Sequence, residues 1–220
     1  MSIENGQIEL AVLQPEVLPS QVHKVATDVG QGGYAGVVVS PVYVARVATM
    51  LRGGGFTRGP TVTAAVAFPH GTNKPTLKAI EATSCLKDGA DALLIVAHLP
   101  HLIRGDFDAA RAELLEIVRA AKATRRDVAI HVVIESALLL REAGGEQLIG
   151  SACRAVRESG CDGVASARGF HPAGGASEAA IRSIRRHAES LIVIASGGIS
   201  TDSSSSYLAA GADRVIVEAR

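Results

Sequence analysis

The polar residues of this chain are of the types that move protons and hold oxyanions. Short apolar runs carry or end on Glu9, Ser40, His98, His131, Glu135, Arg168, Ser196 with Gly197 and Gly198, and Glu218. His131 and Glu135 are four residues apart, so on an extended strand they share a face. An imidazole beside a carboxylate is a general acid–base pair, and Glu9 is a third candidate for that work. Arg168 and the backbone N–H groups of Ser196–Gly198 suit a developing oxyanion or a carboxylate. Ser40, His98 and Glu218 complete the expected set of substrate contacts. Each also has a purely structural reading: Glu135 as an organiser of hydrogen bonds, His131 as a satisfied core histidine, His98 and His101 as loop residues flanking Pro100.

Strand-like and helix-like segments alternate along the chain and would position these groups. Strands are expected at 8–13, 36–39, 61–68, 92–97, 127–134, 163–167, 191–195 and 214–217. Helices are expected at 20–29, 41–51, 76–88, 107–124, 146–159, 177–187 and 202–210. Gly30–Gly33 and Gly160 act as stops, Ser20 and Ser177 as caps. All-apolar strands such as Gly36–Val39 suit a parallel sheet covered on both faces. Eight strands and seven helices in 220 residues fit one (β/α)8 TIM barrel spanning 1–220, with the eighth helix missing or very short. A doubly wound open sheet is the alternative, but no G-x-G-x-x-G turn follows the first strand. An absent last helix should leave an apolar seam beside strands eight and one, to be covered by a dimer contact or by the N-terminal segment.

Composition narrows the function classes. Lys+Arg and Asp+Glu number 22 each, so no global field recruits nucleic acid or an anionic membrane. No apolar run approaches the ~20 residues that span a bilayer. The polar start M-S-I-E-N-G-Q lacks the apolar core of a secretory leader. Cys85, Cys153 and Cys161 have no metal-type spacing and read as reduced, buried thiols. A cytoplasmic protein that binds a small molecule, forms a homodimer and uses no cofactor or metal is expected.

A set of motifs, taken in order, resembles the deoxyribose-phosphate aldolases. Ile8–Pro15 is similar to that family's I-D-H-T-L-L-K-P, and Val37–Val44 to V-C-V-N-P-x-Y-V. Phe68–Gly71 matches F-P-x-G, and Gly89-Ala90-Asp91 stands before strand four as it does in the family. Val132–Leu139 resembles V-I-I-E-T-x-L-L, Ala195–Ile199 matches A-S-G-G-I, and Gly211–Arg214 matches G-A-D-R. Cys161–His171 resembles the sixth strand, F-V-K-T-S-T-G-F, whose lysine forms a Schiff base with the substrate aldehyde.

The resemblance implies the barrel, and it also implies altered chemistry. Ala165 stands at the Schiff-base lysine, Leu94 at the proton-relaying aspartate and Ile194 at the second lysine. Glu9 replaces the strand-one aspartate and His131 the strand-five lysine. An amine is indispensable to imine chemistry. Losing a whole buried charge set together can be neutral, whereas orphaning one member costs ~3–5 kcal/mol. Leu94, Ala165 and Ile194 therefore read as a re-lined interior. Taking the family's catalytic positions as inward puts Glu9, Ser40, His98, His131, Glu135, Ala165, Ala167, Ser196 and Glu218 on the barrel's inner face, with Arg168 just beyond. In the family, glycine amides after strands six to eight hold the substrate phosphate. Here Glu218 falls among them, which favours an unphosphorylated, or differently placed anionic, ligand over a sugar phosphate, and Arg168 would offset Glu218 or pair with it.

The expected function is lyase-, isomerase- or cyclase-type chemistry on a small carbonyl or carboxylate compound without an imine, suited to secondary metabolism. A non-catalytic binding or partner protein on the same scaffold is the first alternative. A metal-dependent lyase using His98, His131 and Glu135 or Glu9 is the second.

Overall fold

The computed structural model describes residues 5–53, 59–172 and 174–219. Eight parallel strands close a barrel in chain order: β1 (Ile8–Val12), β2 (Gly36–Val39), β3 (Thr61–Val66), β4 (Ala92–Val96), β5 (Ala129–Val133), β6 (Gly163–Ala165), β7 (Ile192–Ala195) and β8 (Arg214–Glu218). β8 pairs back onto β1, with Glu9 opposite Ile216 and Ala11 opposite Glu218. This is the expected TIM barrel.

The outer layer is α1 (Pro19–Gly32), α2 (Val44–Gly53), α3 (Pro75–Lys87), α4 (Leu99–Ile103), α5 (Phe107–Thr124), α6 (Ser136–Leu139), α7 (Gly145–Glu158), α8 (Glu178–Ala188) and α9 (Ser204–Ala209). The short α4 and α6 fall on segments expected to be loops; with one turn or little more, neither shows a hydrophobic period. Ser177 caps α8 as expected, its Oγ accepting from the Ala180 N–H at 3.2 Å. Ser20 does not cap α1. That helix starts one residue earlier, at Pro19, and the Gln21 side chain accepts from the Leu18 N–H at 2.8 Å. Among the described residues no helix is long and apolar enough to cross a membrane.

Three aspartates staple the N-terminal end of the barrel in a repeating pattern. Asp91, just before β4, accepts from the Val62 N–H of β3 at 3.1 Å. Asp162, before β6, accepts from Ile130 of β5 at 2.8 Å. Asp213, before β8, accepts from Val193 of β7 at 2.7 Å. The G-A-D segments are therefore devices of the stability face, opposite the face where such barrels place their chemistry.

Side chains alternate between two cores. Outward residues pack under the helices. Inward residues Ala11, Val38, Ala65, Leu94, Val96, Val133, Ala165, Ile194 and Ile216 form a separate apolar cluster inside the barrel. No helix follows β8 among the described residues. Two cavities of about 250 and 340 Å3, both touching Val25 and Ala219, lie beside β1 and β8 where the seam was expected.

Candidate active site

Depth inside the barrel follows from the register between the strands together with their alternation. One inward step before Ala11, Ala65, Val133 and Ile216 come Glu9, Thr63, His131 and Arg214. These four are thus a polar layer at the N-terminal end, and the apolar cluster lies above them. Glu9 is buried; it accepts from Thr63 Oγ1 at 2.9 Å and from Arg214 Nη1 at 3.3 Å. Burial raises its pKa, with Arg214 and Thr63 opposing. His131 is also buried, and neither ring nitrogen has a hydrogen-bond partner among the described residues. Gly163 makes room for the ring, since a Cβ there would lie 2.7 Å from its Nδ1. Burial, with Arg214 adding, pushes the imidazole pKa down to about 4 against the pull of Asp162.

A neutral interior imidazole has a consequence in acid. The unfolded chain takes up a proton near pH 6.5, and the fold refuses it until about pH 4. Stability is therefore full above pH 6.5 and falls as pH drops from 6.5 to 4, by on the order of 3 kcal/mol. Glu9 works in the opposite sense, so the comparison must be with a His131→Met variant measured in urea across that range. Wild type should lose about 3 kcal/mol more than the variant; parallel curves would mean that His131 is protonated in the fold.

Above the apolar cluster, a cavity of about 260 Å3 opens at the C-terminal face. Leu94, Val133 and Ile216 line its floor, Phe68 and Phe170 part of its wall, and Gln14, Arg168, Ser196, Gly197 and Glu218 supply the polar groups. Its volume equals about nine waters at ~30 Å3 each, which suits a ligand of roughly ten non-hydrogen atoms.

Arg168 is held from below by Glu135, and both side chains are buried, at 6% and 3% exposure. Glu135 Oε1 accepts from the Arg168 N–H at 2.6 Å and from Nε at 2.8 Å. Nη1 of the same arginine donates to the carbonyl of Pro69, which follows a cis peptide bond after Phe68. Glu135 has φ of 53°, a left-handed conformation that a non-glycine residue adopts at a cost of ~1–3 kcal/mol. Its Oε2 is buried without a partner among the described residues. Arg168 thus pairs with Glu135 and not with Glu218, the latter being one of the two roles expected for it.

Two serines lock the exits of β6 and β7 together. Ser166 Oγ donates to the Ser196 carbonyl at 2.8 Å and accepts from the Ser196 N–H at 3.0 Å. Ser196 Oγ donates to the Ala167 carbonyl at 2.8 Å. The hydroxyl of Ser196 is therefore committed to the scaffold although the residue lines the cavity. Gly169, Gly197 and Gly198 all have positive φ, and Glu218 Oε1 accepts from the Gly198 N–H at 3.1 Å.

The structure brings Arg168, Ser196, Gly197 and Glu218 to the cavity, with Glu135 directly behind Arg168 and Gly198 on Glu218. It does not bring Glu9 and His131 there. They face inward as expected, but one layer too deep, beneath apolar side chains. Ser40 lies past the end of β2 and does not line the cavity. His98 also lies outside it: its N–H donates to Glu113 at 3.3 Å and its ring packs edge-on to His101 with centroids 4.4 Å apart. His98, His131 and Glu135 do not converge; no group of three or more His, Cys, Asp or Glu suited to a metal ion occurs among the described residues. Sequence reasoning missed Phe68, Phe170 and Gln14. The two rings meet edge-on at 5.3 Å, and a signal existed: the chain has only four phenylalanines, and these two sit in loop motifs where burial alone does not call for them.

No family model matches the chain. It is 34% identical over 213 residues to the deoxyribose-phosphate aldolase of Mycobacterium bovis, covering 94% of this chain and 88% of that one. The deoxyribose-phosphate aldolase of Kocuria rhizophila is 34% identical over 212 residues, with 96% and 90% covered. Among solved structures, the aldolase QR15 superposes with a TM-score of 0.86 at 27% identity over 99% of this chain and 92% of that one. The tetrameric deoxyribose-phosphate aldolase of Aeropyrum pernix gives 0.85 at 23% identity over 97% and 86%, a likeness of fold.

Proposed function

Since the chain belongs to the deoxyribose-phosphate aldolase family, we propose that it is a lyase-, isomerase- or cyclase-type enzyme of that family that acts on a small unphosphorylated carbonyl or carboxylate compound without an imine. The placement of amines carries this reading. The chain has five lysines: Lys24 on α1, Lys74 before α3, Lys78 and Lys87 on α3, and Lys122 on α5. None lines the mouth cavity. Leu94, Ala165 and Ile194 pack together in the apolar cluster below it. Imine formation needs a primary amine within covalent reach of the carbonyl carbon, and a permanently charged guanidinium cannot serve.

Proton transfer then falls to Glu218, the carboxylate that lines the cavity. Arg168, with Nε on Glu135 and Nη1 on Pro69, keeps Nη2 for a ligand oxygen, and the Gly197 amide stands beside it. Of the set expected to be catalytic, Glu135 becomes the residue that positions Arg168. Two measurements test this. Borohydride added with acetaldehyde or deoxyribose 5-phosphate should leave the intact mass unchanged; a reduced adduct on any lysine would sink the proposal. In D2O, exchange of α-protons in a panel of small aldehydes and ketones should be catalysed by wild type and slowed at least 100-fold in Glu218→Gln.

One observation favours a second reading, a binding protein without turnover: Glu135, the Ser196 hydroxyl and Glu218 all engage the protein's own groups. Catalysed exchange or cleavage with any member of the panel rules it out. A homodimer in the cytoplasm remains part of the proposal. Leu77 and Ile80 stand exposed on α3, and sedimentation at the mass of two chains is the expected result.

A further inference from the structure

Glu218 sits where a barrel of this type would be expected to greet an anion. Its Oε1 accepts from the Gly198 N–H at 3.1 Å. A Cβ placed on Gly169 would fall 3.1 Å from that same oxygen and 3.0 Å from the Gly198 nitrogen, so the carboxylate lies inside the turn made by the left-handed glycines. Such successive N–H groups form a concavity for anions. Here the chain's own carboxylate is the anion.

The remaining charges do not reverse the sign. Arg168 is neutralised by Glu135 at 2.8 Å. Glu218 has no lysine, arginine or histidine within ion-pair distance among the described residues, since it takes part in none of the ion pairs found. The adjoining cavity that Glu218 also lines carries Asp28 and Asp202 and, among the described residues, no basic side chain, although Lys24 meets Asp28 at 3.0 Å. Among the described residues the uncompensated charge at the mouth is therefore negative, above a floor of Leu94, Val133 and Ile216 and next to the Phe170 ring.

We propose that Glu218 turns the mouth into a site for a protonated amine on a small apolar body, with the ammonium against the Glu218 carboxylate and the hydrocarbon on the floor. The ring face of Phe170 adds a surface that cations favour. The inference rests on the reading above only in taking this cavity as the ligand site; it narrows the substrate class to carbonyl compounds that also carry an amine. A phosphate would have to displace Glu218 from the Gly198 amide.

Calorimetry with four probes tests it: 3-methylbutylamine, 3-methylbutanol, 3-methylbutanoate and inorganic phosphate. Wild type should bind the amine about ten-fold more tightly than the alcohol, and the two anions more weakly than the alcohol. Glu218→Gln should abolish the amine's advantage over the alcohol, and an unchanged urea midpoint reports an intact fold. Glu218→Gly should gain phosphate binding. Tighter binding of either anion than of the amine by wild type, an amine preference that survives Glu218→Gln, or no binding of any probe overturns the proposal. The borohydride result does not depend on any of these outcomes, so the two readings fail separately.

Discussion

Arg168→Met should destabilise the fold by about 3–5 kcal/mol, the usual cost of leaving one member of a buried ion pair uncompensated. For a chain of this size that is a fall of roughly 6–20 °C in Tm. Methionine keeps most of the length and removes the charge. Glu135 would then hold only the Arg168 backbone N–H, with a second oxygen already unpartnered and its own backbone in a left-handed conformation. The loop carrying Phe170 would lose its tie to Pro69, so binding of even the alcohol probe should weaken. A double variant, Glu135→Met with Arg168→Met, should recover most of the stability, because a pair of apolar side chains leaves no orphan charge. Urea denaturation of the four-member cycle measures the coupling; a single Arg168→Met within 1 kcal/mol of wild type would show that the pair is solvated in the folded state.

Lys78→Met is expected to be as damaging, at a residue that does not line the cavity. Lys78 and Glu113 are 0% and 3% exposed and meet at 2.5 Å. Burial pulls the lysine pKa down while Glu113 holds it up. Nζ also donates to the Val96 carbonyl at 2.8 Å, and Glu113 accepts from the His98 N–H, so the pair anchors the exit of β4. From the same helix, Glu81 accepts the Ala67 N–H at 2.8 Å beyond β3. α3 therefore fastens two successive strand exits with side chains. Removing Lys78 alone should cost about 3–5 kcal/mol. Lys78→Met with Glu113→Leu should return to within about 1 kcal/mol of wild type in stability, while hydrogen exchange at His98 rises because its amide has lost its acceptor.

The elements were legible because each carries its own local signal. Gly36–Val39 and Phe107–Thr124 end where an uninterrupted apolar run and a helical period end, and the structure agrees to the residue. Strand five, expected over 127–134, runs only from Ala129 to Val133. Val128 and Ile134 are as apolar as the strand itself and composition does not separate them from it, and the charged Asp127 belongs to the preceding turn. In the site, alternation correctly placed Glu9 and His131 on the inner face. It could not tell depth, which depends on how tilted strands stagger around the barrel. Nor could sequence foresee that Glu135 would capture Arg168 across 33 positions and leave Glu218 to the Gly198 amide, since both contacts are made by the closure of the barrel rather than by neighbours in the chain.

The nine-residue apolar cluster inside the barrel also acts as insulation. A proton cannot hop along hydrocarbon, and among the described residues no chain of side-chain hydrogen bonds links His131 or Glu9 at the base to Glu218. The two ends are separately editable. The aspartate staples and the polar base can hold the scaffold while the mouth is altered, and a library confined to Gln14 and Glu218, with the buried Arg168–Glu135 pair and the Ser196 lock left in place, should explore new ligands without eroding the barrel beneath.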